Sequence, residues 1–94
     1  MSTVAASNTY DFSHHGGFQQ QFEFGPVTAL NCAVFVSISE ITDIGGQVVP
    51  FQGAASCTID NVVPGDGNFI VRGSIGWDSD INVRLFVFTT PIPL

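Results

Sequence analysis

Residues 82–90 read Asn-Val-Arg-Leu-Phe-Val-Phe-Thr-Thr, and every second residue from Val83 onward is aliphatic until the threonines begin. Successive side chains of a β-strand point to opposite faces, so this stretch predicts a strand with one dry face. The other face carries Phe86 and Phe88 beside Arg84. The strand is therefore largely apolar on both sides.

A second stretch, residues 69–75, has the same character, with Ile70 on the face opposite Val71. Antiparallel sheets commonly keep one face in contact with water, so apolar residues on both faces indicate that the outer face also meets a dry surface. An alternative is that the chain's own loops or its N-terminal segment cover these residues. We predict four contact residues on the outer faces. They are Ile70, Phe86 and Phe88, together with Phe35 from residues 33–39.

Period-two alternation also marks residues 18–24 and 55–60, and no stretch has a helical period. A long strand is predicted to place one set of residues on its core face, and that set is Leu30, Cys32, Val34, Val36 and Ile38. Residues 47–52 contain Pro50, which predicts an edge strand or a bend. Gly45 and Gly46 predict a turn.

About six to eight short strands with frequent turn residues predict an all-β fold, an antiparallel β-sandwich or a small jelly roll. No linker or repeat divides the chain, so residues 1–94 are expected to form a single domain. Residues 1–12 are expected to be an N-terminal arm or an edge strand. An arm of this kind can add a strand to the sheet of a neighbouring molecule.

The chain contains no lysine and two arginines, and its charged fraction is 11%, against about 25% in ordinary soluble domains. The chain also has nine phenylalanines and a hydrophobic fraction of 45%. Few charged residues are therefore available to form a surface over its apolar side chains. The net charge of −6 argues against nucleic acid and against anionic membrane surfaces as partners. We therefore expect a homo-oligomer, in which copies of the chain cover each other.

No apolar run reaches the roughly 18 residues that span a bilayer, so we expect no membrane insertion. The first residues lack the basic and apolar regions of a conventional signal peptide. We expect a protein that stays in the cell or leaves it by a route without such a leader. The two cysteines, Cys32 and Cys57, leave two alternatives open: a disulfide between the sheets, or two buried thiols.

Residues 76–82 form the most site-like segment, with acidic and amide side chains at alternate positions. Asp78, Asp80 and Asn82 are candidate ligands of calcium, which binds oxygen atoms. An EF-hand is excluded because Val83 and Thr89 stand where that loop requires glycine and glutamate. Trp77 beside these polar groups also suits a sugar, whose ring stacks on a flat aromatic face. The plain alternative is a polar turn between two strands.

Two adjacent histidines, His14 and His15, do not suggest a shared metal site, because neighbouring residues of a strand project to opposite faces. We find no catalytic residue set, no nucleophile motif and no phosphate-binding loop, and we expect no enzyme. The leading hypothesis is a self-associating β-sandwich subunit with a structural or display role. The rival hypothesis is a lectin-like module that binds carbohydrate or calcium through residues 76–82.

Overall fold

The computed structural model describes residues 5–92 as two antiparallel β-sheets. No helix occurs among these residues, and so none that could cross a bilayer. The predicted all-β sandwich is confirmed. Its strands are β1 (Ala6–His14), β2 (Gly16–Glu23), β3 (Cys32–Ile44), β4 (Gln47–Pro50), β5 (Ser56–Pro64), β6 (Asn68–Gly76) and β7 (Ile81–Pro91).

One sheet has four strands in the order β1-β7-β3-β4, and the other has three strands in the order β2-β6-β5. Every neighbouring pair is antiparallel. Strand β7 lies between β1 and β3, and β6 lies between β2 and β5. The two strands that are apolar on both faces in the sequence are thus interior strands, one in each sheet.

The core lies between the two sheets, where the inward side chains of the interior strands meet. Its fully or almost fully buried apolar residues are Val27, Phe69, Val71, Ile75, Val83, Leu85 and Val87. Complete burial of a side chain of this size contributes about 1.5–3 kcal/mol. Along one side of the sandwich the Tyr10 hydroxyl donates to the Glu23 carbonyl at 2.7 Å, which connects β1 to the end of β2.

The β3–β4 hairpin is closed by the two glycines that the sequence predicts in a turn. Gly45 and Gly46 have φ of 62° and 85°, a region that side chains with a Cβ rarely occupy. The Gly46 N–H donates to Asp43 Oδ1 at 2.9 Å. Strand β4 lies at the edge of its sheet and ends at Pro50, so the predicted edge position is correct.

One predicted core residue is wrong. Leu30 is 74% exposed, because β3 begins only at Cys32 and Leu30 lies in the preceding turn. In this turn the hydroxyl of Thr28 donates to the side chain of Asn31, and the Ala29 N–H donates to Asp66 Oδ1 at 2.9 Å. These polar contacts hold the turn away from the sheet, so the alternation does not extend back to Leu30.

The N-terminal segment is an edge strand over the part that the structure describes. Residues 6–14 pair with β7 of the same chain, from Ala6 opposite Thr89 to His14 opposite Ile81. Residues 1–4 of the predicted arm lie outside the described residues. The segment from residue 6 onward therefore completes the chain's own sheet.

The burial pattern predicts opposite results for the same substitution at two leucines. Leu85→Ala is expected to lower the free energy of unfolding by about 2–5 kcal/mol, because it removes buried methyl groups and leaves a cavity. Leu30→Ala is the control and is expected to change it by less than about 0.5 kcal/mol. Urea unfolding at one protein concentration measures both. A loss at Leu30 as large as that at Leu85 would contradict the assignment of Leu30 to the exposed turn.

Candidate functional site

The outer face of the four-stranded sheet is built around the outward residues of β7. The register places Phe88 between Ser7 of β1 and Phe35 of β3. Two residues earlier along β7, Phe86 lies between Thr9 of β1 and Ser37 of β3. We call Phe35, Phe86 and Phe88 the aromatic patch. Short hydroxyl side chains surround it and leave the rings uncovered.

The aromatic patch is open to solvent. Phe35 is 59% exposed and Phe88 is 45% exposed, while Phe86 is half-buried. The rings of Phe35 and Phe88 lie with centroids 6.3 Å apart at an interplanar angle of 31°. The patch borders a shallow depression of about 480 Å³. Within residues 5–92 no loop or N-terminal segment seals these rings, so the alternative of self-coverage does not hold for Phe35 and Phe88 over this part of the chain.

A bidentate ion pair stands next to the patch on the same face. Arg84 Nε and Nη2 donate to Asp11 Oδ1 and Oδ2 at 2.7 and 2.9 Å. The hydrogen bonds from Arg84, aided by its charge, lower the pKa of Asp11 against a smaller opposing effect of burial. The same pair raises the pKa of Arg84. The two charges neutralise each other, so this border of the patch carries no net charge.

Ile70 is not part of the aromatic patch. It lies on β6, in the three-stranded sheet, and its register neighbours are Gln21 and Val63. Val63 is 48% exposed, and Arg72 lines the same shallow depression. The four predicted contact residues therefore lie on two different sheets, three on one and one on the other. The sequence pattern does not reveal which sheet a strand joins.

The loop between β6 and β7 is exposed along residues 76–80. Trp77 is 44% exposed, and its backbone N–H donates to the Ile75 carbonyl at 2.9 Å in a tight turn. Asp78 and Asp80 are exposed beside it. The indole and the carboxylates are therefore accessible to a ligand from solvent.

The candidate calcium ligands have different surroundings. Asp80 Oδ1 accepts a hydrogen bond from His15 Nδ1 at 2.5 Å. Asn82 lies within β7 opposite Ser13 and borders a depression that Asp11 and Asp43 also line. Within residues 5–92 no group of three or more histidine, cysteine or acidic side chains is placed to hold a metal ion.

The two histidines are closer in space than the strand pattern predicts. Their rings lie 6.0 Å apart at an interplanar angle of 26°. The reason is that β1 ends at His14 and the chain turns through Gly16, whose φ is 73°. His14 Nε2 donates to the Gly17 carbonyl at 3.0 Å. One ring nitrogen of each histidine is therefore engaged, with Gly17 and Asp80 respectively.

Cys32 and Cys57 are both free thiols, so the alternative of an inter-sheet disulfide is wrong. Cys57 borders a depression together with Glu40, which lies eight positions along β3 from Cys32. Eight residues of strand span about 26 Å, whereas the Cα atoms of a disulfide lie within about 7 Å. The two cysteines therefore stand near opposite ends of β3.

Glu40 is a partly buried acid that the sequence analysis did not single out. It follows Cys32, Val34, Val36 and Ile38 on the inward face of β3, and its register partner is Val83. Its Oε1 atom is buried without a hydrogen-bond partner among residues 5–92. Burial, and to a lesser degree the charge of Glu40, raises the pKa of the Cys57 thiol. Extending the period-two alternation of residues 32–38 by two residues would have predicted Glu40 on the same inward face.

Comparison with protein-family models, with curated proteins and with solved structures finds no match for this chain.

The Asp11–Arg84 pair predicts a pH dependence of stability. Because the folded protein lowers the pKa of Asp11 below its ordinary value of 3.8, the pair contributes stability above that pH and loses it as the pH falls through the lowered pKa. We expect wild type to be more stable than Asp11→Asn at pH 6, and the difference to shrink below pH 4. The contribution is small because the pair is solvent-exposed.

Chemical unfolding between pH 2 and 7 measures this difference. Asp78→Asn is the control, since it removes the same charge from the exposed loop and leaves the Arg84 pair intact. A stability difference between wild type and Asp11→Asn that stays constant over this range would contradict the role of the pair.

Proposed function

We propose that this chain is a non-enzymatic β-sandwich subunit that works by associating with copies of itself in a structural or display assembly. The aromatic patch on the outer face of the four-stranded sheet is the proposed contact surface. The single observation behind the proposal is the exposure of Phe35 and Phe88 on a sheet face with little charge. Contiguous exposed apolar patches, unlike single exposed residues, mark interaction sites, and the rings of Phe35 and Phe88 lie side by side.

The exposed aromatic area is enough for a reversible association. A whole phenylalanine side chain has about 200 Å² of surface, so the exposed fractions of Phe35 (59%) and Phe88 (45%) amount to roughly 200 Å² per copy. At about 25 cal/mol per Å², burial on two copies contributes about 10 kcal/mol. Association costs about 4–15 kcal/mol. Even at the lowest of these costs the net gain is about 6 kcal/mol, which corresponds to a Kd of roughly tens of micromolar. Tighter association needs further contacts from the surrounding hydroxyl residues.

Charge at the aromatic patch does not oppose a second copy as the partner. The chain carries a net charge of −6, so two copies repel each other overall, and the repulsion is smallest where they meet at a neutral surface. The aromatic patch is such a surface, because the neighbouring Asp11 and Arg84 neutralise each other. Two sheets of this kind pack face to face at about 10 Å. A two-fold arrangement then lets the same patch serve both partners.

The double variant Phe35→Ser with Phe88→Ser is expected to weaken association at least tenfold, because it removes most of the exposed aromatic surface. Phe51→Ser is the matched control, since Phe51 is also exposed (39%) but lies after β4, away from the patch. Sedimentation velocity over a dilution series measures the oligomeric state of all three proteins. Phe86 is left unchanged because it is half-buried.

Two results would contradict the proposal. The first is a wild-type protein that stays monomeric at every concentration up to the millimolar range. The second is an equal loss of association in the Phe51→Ser control.

The alternative function is a lectin-like module that binds carbohydrate, or calcium, through the loop from Trp77 to Asn82. It is favoured by the exposure of Trp77 (44%) beside the exposed carboxylates of Asp78 and Asp80. An indole face stacks on a sugar ring while the acids accept hydrogen bonds from its hydroxyls. This function is compatible with self-association, since repeated display of a weak site increases avidity.

The alternative predicts that Trp77→Ala abolishes binding on a glycan array, whereas Trp77→Phe keeps part of it because an aromatic face remains. For calcium, it predicts that EDTA lowers the melting temperature and that native mass spectrometry finds a bound ion. A blank array for wild type, together with melting that chelation leaves unchanged, would rule the alternative out.

A further inference from the structure

The edges of the two sheets differ in how well they resist pairing with another strand. Native proteins protect edges with proline, bulges, short strands or charge. Strand β4 has four residues and ends at Pro50, and β5 has an irregular register between Ile59 and Asn61 and ends at Pro64. Strand β1 carries the charge of Asp11 near its middle. Strand β2 has none of these devices along Gly16–Gln21.

The hydrogen bonds show which peptide groups of β2 face away from β6. The Phe24 N–H donates to the Gly67 carbonyl at 3.0 Å, on the β6 side. Peptide groups alternate in direction along a strand, so those of the odd-numbered residues face the open edge. This agrees with two side chains of β1, since His14 donates to the Gly17 carbonyl and Tyr10 donates to the Glu23 carbonyl.

Between these two ends the edge is open. The peptide groups of Gln19 and Gln21 face outward, and no strand within residues 5–92 pairs with this side of β2. Both side chains are exposed. The edge therefore presents two N–H donors and two carbonyl acceptors between His14 and Tyr10.

The sequence of this segment is symmetric. Residues 18–22 read Phe-Gln-Gln-Gln-Phe, which is the same in both directions about Gln20. If two copies of β2 pair antiparallel about Gln20, Gln19 lies opposite Gln21 and Phe18 lies opposite Phe22. The outward peptide groups of Gln19 and Gln21 then fall in the hydrogen-bonded positions of the ladder.

Charge and side-chain chemistry also fit this register. Glu23, the charged residue of β2, comes opposite Gly17 of the second copy, so like charges do not meet. Gln20 comes opposite itself on the two-fold axis. Its side-chain amide has both donors and an acceptor, so two copies can hydrogen-bond to each other reciprocally. Gln20 is exposed, although its neighbours on the same face, Phe18 and Phe22, are largely covered.

We infer that the open edge of β2 is a second self-association surface, on which another copy of this chain adds its own β2 in antiparallel register about Gln20. The pairing joins two three-stranded sheets into one continuous sheet. This inference shares with the proposed function the idea of self-association, but it uses a separate surface. The contact is isologous, so it closes on two copies and leaves no further β2 edge exposed.

Cysteine cross-linking tests the register. Residues opposite each other in a non-hydrogen-bonded pair have Cα atoms about 4.5 Å apart, within the range of a disulfide. In a Cys57→Ala background, Gln20→Cys is therefore expected to form a covalent dimer on mild oxidation. Gln19→Cys is the matched control, because its two copies are diagonal neighbours about 7–8 Å apart. We expect at least tenfold less dimer from it, and equal or absent cross-linking in both would overturn the inference.

Charged variants separate the edge from the aromatic patch. In the Phe35→Ser, Phe88→Ser background, Gln20→Lys and Gln20→Asp are each expected to be monomeric, and their mixture is expected to form a heterodimer in native mass spectrometry. If the mixture stays monomeric while the unmodified background dimerises, the edge inference fails. If wild type assembles and Gln20→Lys changes nothing in any background, the edge fails and the proposed function stands. A wild type that is monomeric throughout overturns both.

Discussion

The structure depends on the burial of two interior strands against each other. The inward residues of β7, from Val83 to Val87, face those of β6, from Phe69 to Ile75, and these side chains lose nearly all contact with water. Each of these strands also pairs with a neighbour on both sides. Because side chains alternate strictly along a strand, this burial forces Phe86, Phe88 and Ile70 to face outward. The exposed apolar surface is thus a direct consequence of how the core is built.

The local part of this arrangement could be predicted from the sequence, and the long-range part could not. The direction of each side chain on β6 and β7 depends on alternation alone, so the core and outer sets follow from residues 69–75 and 83–88. The proximity of Phe35 to Phe88 depends on the register between β3 and β7. Ile70 lies apart from them because β6 belongs to the other sheet. Strand order and register are set by pairings between distant residues, which period-two patterns do not encode.

The remaining errors have local causes at the ends of strands. Leu30 lies two residues before Cys32, so alternation predicts it on the core face, but it lies in the turn before β3 and outside the sheet. His14 and His15 were expected on opposite faces, but β1 stops between them and the rings come together. Glu40 shows the opposite case, since the alternation continues through it and places an acid inside. Alternation therefore holds along the interior strands β6 and β7 and fails where the backbone turns.

Composition and architecture agree on where this chain would meet its copies. Lysine on edge strands is a common protection against unwanted pairing, and this chain has no lysine. Strands β4 and β5 instead end in Pro50 and Pro64, which oppose pairing with a further strand. Strand β2 contains no proline. The proposed face contact and the inferred edge contact are both isologous. Two such contacts give a closed tetramer when their axes intersect at right angles, and an extended filament when they do not meet. The relative placement of the two axes, set by where the aromatic patch and the β2 edge lie on the chain, therefore decides between a small particle and a fibre.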